Sequence, residues 1–257
     1  MDFTNTKEKY QALLNKLPEK QNYVGVIGSA IVPLEIIAKT RPKKTVLFDN
    51  NQYQIELFHL YKDKILNSEN RIDFIKQISG LEENELKKLN ELFNDHSYDA
   101  RNKPKEYLMS LNLKNRFNGF ENSLDHDLFL SGRSNISNLC FTGIDNIFNN
   151  DERFNSLKET LSKGKVYTEN VDLTQNSFSK TINQYFNFLS KIGLISLSNV
   201  IPGEEDEPLM YINEEQYNQI IQNLGNLKTT KNPLVMYGLK SKLNYLDTLL
   251  KTEYKHI

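Results

Sequence analysis

Two points of the chain carry side chains that can act together on a ligand. Gly28-Ser29-Ala30 is a run of small residues closing the apolar stretch that begins at Tyr23, and Asp49 closes the apolar stretch Thr45-Val-Leu-Phe48, 21 positions after Gly28. A turn without side-chain bulk lets a nucleoside approach the backbone, and a helix that follows it offers free amide hydrogens at its first turn. A carboxylate at the end of a buried strand is costly unless something satisfies it, and the two hydroxyl hydrogens of a ribose diol do so. This is the layout of a nucleoside-binding half of an open parallel sheet. The plainer reading is an ordinary strand-to-helix turn, with Asp49 capping a helix that starts near Asn51. Farther along, Leu197-Ser-Asn-Val-Ile-Pro202 ends another buried strand. In a parallel sheet that strand emerges on the same rim as Gly28, so Asn199 is the candidate for facing the reacting group, with Ser198 beside it.

The elements that must position these residues follow from hydrophobic period. Tyr10, Leu13, Leu14 and Leu17 fall at helical spacing over 5–20, cut by Pro18. Strands are expected at 22–28 and 44–49, with a helix at 32–40 between them and another from about 51 to 68. From about 69 to 160 the alternation of strand and helix breaks, and a mostly helical insertion is expected, with a short strand possible at 138–142. Alternation resumes with a strand at 165–172, a helix at 179–191 stopped by Gly193, a strand at 194–200, a helix at 214–225 and a strand at 233–238. A helical or strand-like segment follows at 240–254. The expected fold is therefore α/β and Rossmann-like. It has a mostly parallel sheet of five or six strands, helices on both faces and a helical insertion, all within one domain spanning 1–257.

Composition narrows the partners. The 257 residues hold 32 Lys+Arg against 33 Asp+Glu, so the net charge of −1 gives no sequence-independent attraction for nucleic acid or an anionic membrane, short of a local patch. A small molecule is the expected partner. A single cysteine excludes an internal disulfide, and no apolar run reaches the roughly 20 residues of a membrane-spanning helix, which points to a cytoplasmic protein. Abundant Asn, Lys and Ile with no Trp suggests AT-rich coding and a bacterial source.

Other polar clusters carry less. Asp125-His126-Asp127 has no second ligand pair at a useful spacing, so no metal is expected. Cys140 sits in an apolar run and reads as a small hydrophobe. Glu204-Glu-Asp-Glu207 reads as a solvated loop that can attract a cationic acceptor. The insertion, with Arg101, Arg116 and Arg133 and with Gly119, Gly132 and Gly143 as hinge points, suits a lid over the rim.

Val24-Gly-Val-Ile-Gly-Ser29, Val46-Leu-Phe-Asp49 and the carboxylate-ended strand at Val171-Asp172 resemble successive motifs of the class I S-adenosylmethionine-dependent methyltransferases. Locally, Gly28-Ser-Ala-Ile-Val-Pro-Leu34 is similar to a loop of the nicotianamine synthase-like enzymes, which transfer an aminocarboxypropyl group from the same cofactor. The resemblance covers about 22–66 and 165–200. It implies that Gly28 and Ser29 lie beside the methionine part, Asp49 binds the ribose and Asp172 contacts the adenine. It also implies an S-adenosylmethionine-dependent transferase acting on a small-molecule acceptor, methyl transfer ahead of aminocarboxypropyl transfer. The Gly-x-Gly of the family is incomplete here. That favours, as the alternative, a non-catalytic methyltransferase-like binding or effector protein, and argues against a nicotinamide cofactor, whose pyrophosphate needs the missing glycines.

Overall fold

Asn22-Tyr-Val-Gly-Val26 and Thr45-Val-Leu-Phe-Asp49 are runs of β-branched and aromatic residues too short for a stable helix, and both form strands, β1 and β2. In the computed structural model, the described residues are 13–28, 30–95, 103–111, 136, 146–198, 212–237 and 242–251. They divide into a sheet unit, Lys9–Glu56 with Gly164–Ile257, and a helical unit, Leu57–Lys163.

In the sheet unit, helix α1 (Ile31–Thr40) joins β1 to β2, and helix α2 (Gln52–Asn67) begins after β2. Strand β3 (Val166–Asn170), helix α7 (Phe178–Asn183), strand β4 (Ile192–Ser198), helix α8 (Glu214–Gly225) and strands β5 (Thr229–Tyr237) and β6 (Lys242–Tyr245) complete it, with the short helix α9 (Leu246–Leu249). The strand order is β3-β2-β1-β4-β5-β6. The first five strands are parallel, and β6 pairs antiparallel with β5.

Every residue of β2 is buried, as expected of a parallel strand covered on both sides. On one face Val24, Val46, Phe48, Ile195 and Val235 pack against Phe178 and Ile182 of α7 and Ile220 and Leu224 of α8. Side chains alternate across a strand, so Tyr23, Leu47 and Leu194 point to the other face. The right-handed crossover from β1 to β2 places α1 there. Helix α1 is buried almost all round, from Ile31 to Thr40.

The fold class is the α/β, mostly parallel arrangement that the sequence implies, with three local corrections. The last strand runs antiparallel, because the four positions between Tyr237 and Lys242 are too few for a crossover helix. Gly193 does not stop a helix. It lies inside β4, where the pairing with β1 and with β5 shifts register, and a Cβ there would stand 2.6 Å from Oε1 of Gln21. The helix expected over 179–191 ends at Asn183, and a tight turn bridged between Asn187 and Ser190 replaces its second half.

In the helical unit, helices α3 (Arg71–Ser79), α4 (Glu83–Asn94), α5 (Lys103–Ser110) and α6 (Asp151–Ser162) have legible ends. Asn70 and Asn150 cap α3 and α6 through their side chains, Gly80 ends α3 in the left-handed conformation, and Glu82 with Glu85 forms a capping box on α4. Phe74 stacks on Phe148 and Phe154. The buried Arg71 guanidinium donates to Asp151 Oδ1, the Phe148 carbonyl and Asn90 Oδ1 at 2.7–2.8 Å, tying three segments to one cation. No described helix is long and apolar enough to cross a membrane.

Candidate functional site

Neighbouring strands reverse their order at β1, which has β2 on one side and β4 on the other, each reached by a separate crossover. At such a switch point the connections leave in opposite directions and a crevice opens outside the carboxyl ends of the strands. Gly28 lies two residues past β1, at the carboxyl edge of this switch point.

The turn at Gly28 is shaped by two positive φ angles, 50° at Gly28 and 59° at Ala30. Glycine takes that conformation freely, whereas Ala30 holds it at a cost of about 1–2 kcal/mol. A Cβ added at Gly28 would find no atom within 4 Å, so open space adjoins the backbone here. Helix α1 starts at Ile31 with no side-chain cap and no acid in its first turn, leaving its leading amides without an internal acceptor of that kind.

Asp49 is 8% exposed, and its carboxylate is held from two sides. The Gly28 amide donates to Oδ2 at 3.0 Å and the Asn51 amide to Oδ1 at 2.9 Å. One lone pair remains on each oxygen, which is what a pair of vicinal hydroxyls requires. Asp49 does not cap α2: its bond from the Asn51 amide is a local turn, and the side chain that caps the helix is Asn51, whose Oδ1 accepts from the Tyr53 amide at 3.0 Å.

Asp172 follows β3 on the adjacent strand, and Asp49 is in register with Asn170. Its Oδ1 accepts from the amide and hydroxyl of Thr174, both at 2.8 Å, and its Oδ2 accepts from Nδ2 of Asn50 at 3.0 Å. Partial burial alone raises its pKa. The bonds from the Thr174 amide, Asn50 and the Thr174 hydroxyl outweigh burial and hold the carboxyl below its ordinary range. The Val171 amide also donates to the Asp49 carbonyl at 3.1 Å.

Gly28, Asp49 and Asp172 thus stand on three neighbouring strand ends, Gly28 bonded directly to Asp49 and Asp172 bonded to Asn50, the residue after Asp49. Ser29 and Asn199 lie outside the described residues, as do Asp125–Asp127, Cys140 and the acidic run at 204–207. Among the described residues no His, Cys, Asp and Glu group is arranged to hold a metal. Asn50 and Thr174 are functional neighbours that the sequence reading missed. Thr174 was visible in principle, since Asp accepting from the amide two residues on is a familiar turn, but the Asn50 contact spans 122 positions.

The first glycine of the motif has a different job. A Cβ at Gly25 would stand 2.3 Å from the phenol oxygen of Tyr23, so Gly25 is needed by its own neighbour and makes no room for a ligand.

No family model matches the chain, and no curated protein matches it. Two solved structures of the rRNA methyltransferase aviRa from Streptomyces viridochromogenes, at 2.4 Å and 1.5 Å, align with 91% of this chain and 72% of theirs. Identity is 10% and 11%, and the TM-score is 0.37 for both. So low a score carries nothing about activity, and the functional reading stands on the geometry of the rim.

Proposed function

We propose that the carboxyl edge of the sheet binds S-adenosylmethionine and that the protein transfers its methyl group, or its 3-amino-3-carboxypropyl group, to a small-molecule acceptor in the cytoplasm. The observation that carries this reading is the link from Gly28 to Asp49 at the switch point. It sets the open space at Gly28 beside a buried carboxylate with two unused lone pairs, and these fit an adenosyl group. The cofactor, when bound, supplies a sulfonium carbon open to in-line attack. The chain's own residues position and desolvate. Asp49 accepts from the ribose hydroxyls, and the turn at Gly28 and Ser29 with the uncapped start of α1 lies beside the methionine part. Asp172 accepts from the adenine amine through the lone pair that Asn50 leaves on Oδ2, and Asn199 faces the acceptor. Holding donor and nucleophile in contact supplies most of the rate, so an amine or thiolate acceptor needs no strong base.

Isothermal titration tests the donor. Heat with S-adenosylmethionine and S-adenosylhomocysteine and none with NAD is expected, and silence with both sulfur ligands overturns the reading. One observation favours a second reading, a non-catalytic binding protein: the family's Gly-x-Gly is incomplete, and Gly25 is taken up by the Tyr23 ring and makes no room for a ligand. Cofactor binding with no transfer to a panel of amines and thiols would select it.

A further inference from the structure

A lysine stands at the start of each of the five parallel strands. Lys44, Lys165, Lys191 and Lys228 immediately precede β2, β3, β4 and β5, and Lys20 lies two residues before β1. Strand order arranges them along the amino edge of the sheet as Lys165, Lys44, Lys20, Lys191 and Lys228. Adjacent strands lie about 4.8 Å apart, so the row runs for about 19 Å. In a chain of net charge −1, this is segregation of charge.

The charges are not neutralised. None of the five forms an ion pair among the described residues. Lys44 donates to the Tyr185 carbonyl, and Lys228 to the carbonyls of Asn183 and Phe186, which fix the ammonium groups without cancelling them. A groove of about 690 Å³ follows this edge, lined by Lys20, Lys43, Lys44, Lys165 and Lys191 and by no carboxylate.

Apolar surface flanks the row. Phe188 and Leu189 are 84% and 91% exposed at the tip of the Asn187–Ser190 turn, where Gly, Asn, Asp or Ser is usual. The turn is braced. Asn187 Oδ1 accepts from the Leu189 amide at 3.0 Å, and Asn22 Nδ2 donates to Ser190 Oγ at 3.1 Å and to the Lys191 carbonyl at 2.8 Å. The Lys191 ammonium lies 5.2 Å from the centre of the Phe188 ring. On β3, at the edge of the sheet, Tyr167 presents a partly exposed ring that also lines the groove.

We propose that this groove binds single-stranded nucleic acid, with phosphates along the lysine row and bases stacked on Phe188 and Tyr167. A line of cations in a concave channel with aromatic faces suits a linear polyanion carrying flat bases. An anionic membrane would engage the apolar tip at Phe188 and Leu189 but could not follow the lysines into the concave groove beside it. The groove is at the opposite end of the strands from Gly28 and Asp49, so this inference does not depend on the donor reading and survives its failure.

Fluorescence anisotropy of the full chain with labelled oligo(dT) or oligo(U) of about ten nucleotides tests it. Four phosphate contacts predict a slope of log K against log salt of about −3, so a rise from about 50 mM to about 200 mM salt weakens binding about fifty-fold. The Lys20→Glu/Lys165→Glu/Lys191→Glu variant should make that slope shallower by about two, and Phe188→Ala should weaken binding about five-fold or more with the slope unchanged. All four side chains are exposed, and an unaltered thermal melt confirms that the variants fold. No binding at low salt overturns the proposal. So does a slope that the triple variant leaves unchanged, equal affinity for a duplex of the same sequence, or displacement of the oligonucleotide by phosphatidylserine vesicles.

Discussion

The Gly28 amide donates to Oδ2 of Asp49 at 3.0 Å, so the turn after β1 and the end of β2 are fastened by one carboxylate. The Asn51 amide occupies the other oxygen, at 2.9 Å. Both partners are donors, and only an anion or another double acceptor satisfies both. Asp49→Asn puts the NH2 of a carboxamide, a donor, against one of these N–H groups. A loss of about 1–3 kcal/mol in urea unfolding is expected, because a buried donor is left facing a donor. Asp49→Ala should abolish heat with S-adenosylhomocysteine while the chain stays folded. Unchanged stability in Asp49→Asn would show that the fastening contributes nothing, and retained affinity in Asp49→Ala would assign the ribose to another acid.

Gly28→Ala separates space from strain. The positive φ costs an alanine about 1–2 kcal/mol, and the new methyl meets no protein atom within 4 Å, so unfolding should shift by no more than that strain. Under the proposed reading the methyl enters the crevice that the adenosyl group fills. A loss of cofactor affinity of about tenfold or more is then expected by calorimetry. Full affinity in this variant would mean that the ligand passes elsewhere.

How far the chain could be read depended on whether a residue's role was set by its sequence neighbours. β1 and β2 were legible because short apolar runs bounded by polar turns admit little else, and Gly28 and Asp49 because each closes such a run. The end of α7 was not. Phe186, Phe188 and Leu189 continue an apolar pattern past Asn183, yet Phe188 and Leu189 point to solvent at the tip of a turn. Gly193 looked like a helix stop because the bulge that needs it is made with β1, far away in sequence. The lysine row escaped for the same reason. Its members are scattered from 20 to 228, and only strand order sets them side by side.

Asp172 gives the site an acid signature. Its carboxyl is held below the ordinary value of 3.8 by Thr174 and Asn50 against the opposing effect of burial. A depressed folded pKa means that its contribution is complete above about pH 4 and is lost as pH falls through the folded value. Thr174→Val removes the hydroxyl bond and keeps the amide bond, and Asn50→Ala removes the bond to Oδ2. In each variant the Asp172 carboxyl, followed by carbon-13 NMR, should titrate at higher pH than in the parent, and the acid limb of the stability curve should flatten. An unmoved titration in both would mean that neither bond forms in solution.

Gly25 and Tyr23 face the same side of β1 two residues apart, and the glycine exists to let the phenol ring lie over it. An added Cβ would stand 2.3 Å from the phenol oxygen and 2.6 Å from Cζ. Tyr23 is fully buried and cannot swing out, so Gly25→Ala should cost about 1–3 kcal/mol as overpacking. The hydroxyl itself meets no partner in hydrogen-bond geometry, although Ser196 is close on β4. Tyr23→Phe should therefore leave stability unchanged or raise it, because a buried unsatisfied group is removed. In the double variant the nearest clashing atom is gone, and the combined cost should fall below that of Gly25→Ala alone, a coupling that a double-mutant cycle reads directly. Burial also holds the Tyr23 phenol well above its ordinary value of 10.0, against a smaller opposing effect of Ser196. With the folded pKa raised, the neutral ring's contribution is intact below pH 10 and is lost as pH climbs beyond it, because only the unfolded chain then ionises freely. Tyr23→Phe should accordingly soften the alkaline fall in melting temperature. An alkaline limb identical to the parent's would show that the ring is already reached by solvent, and the packing account of Gly25 would fall with it.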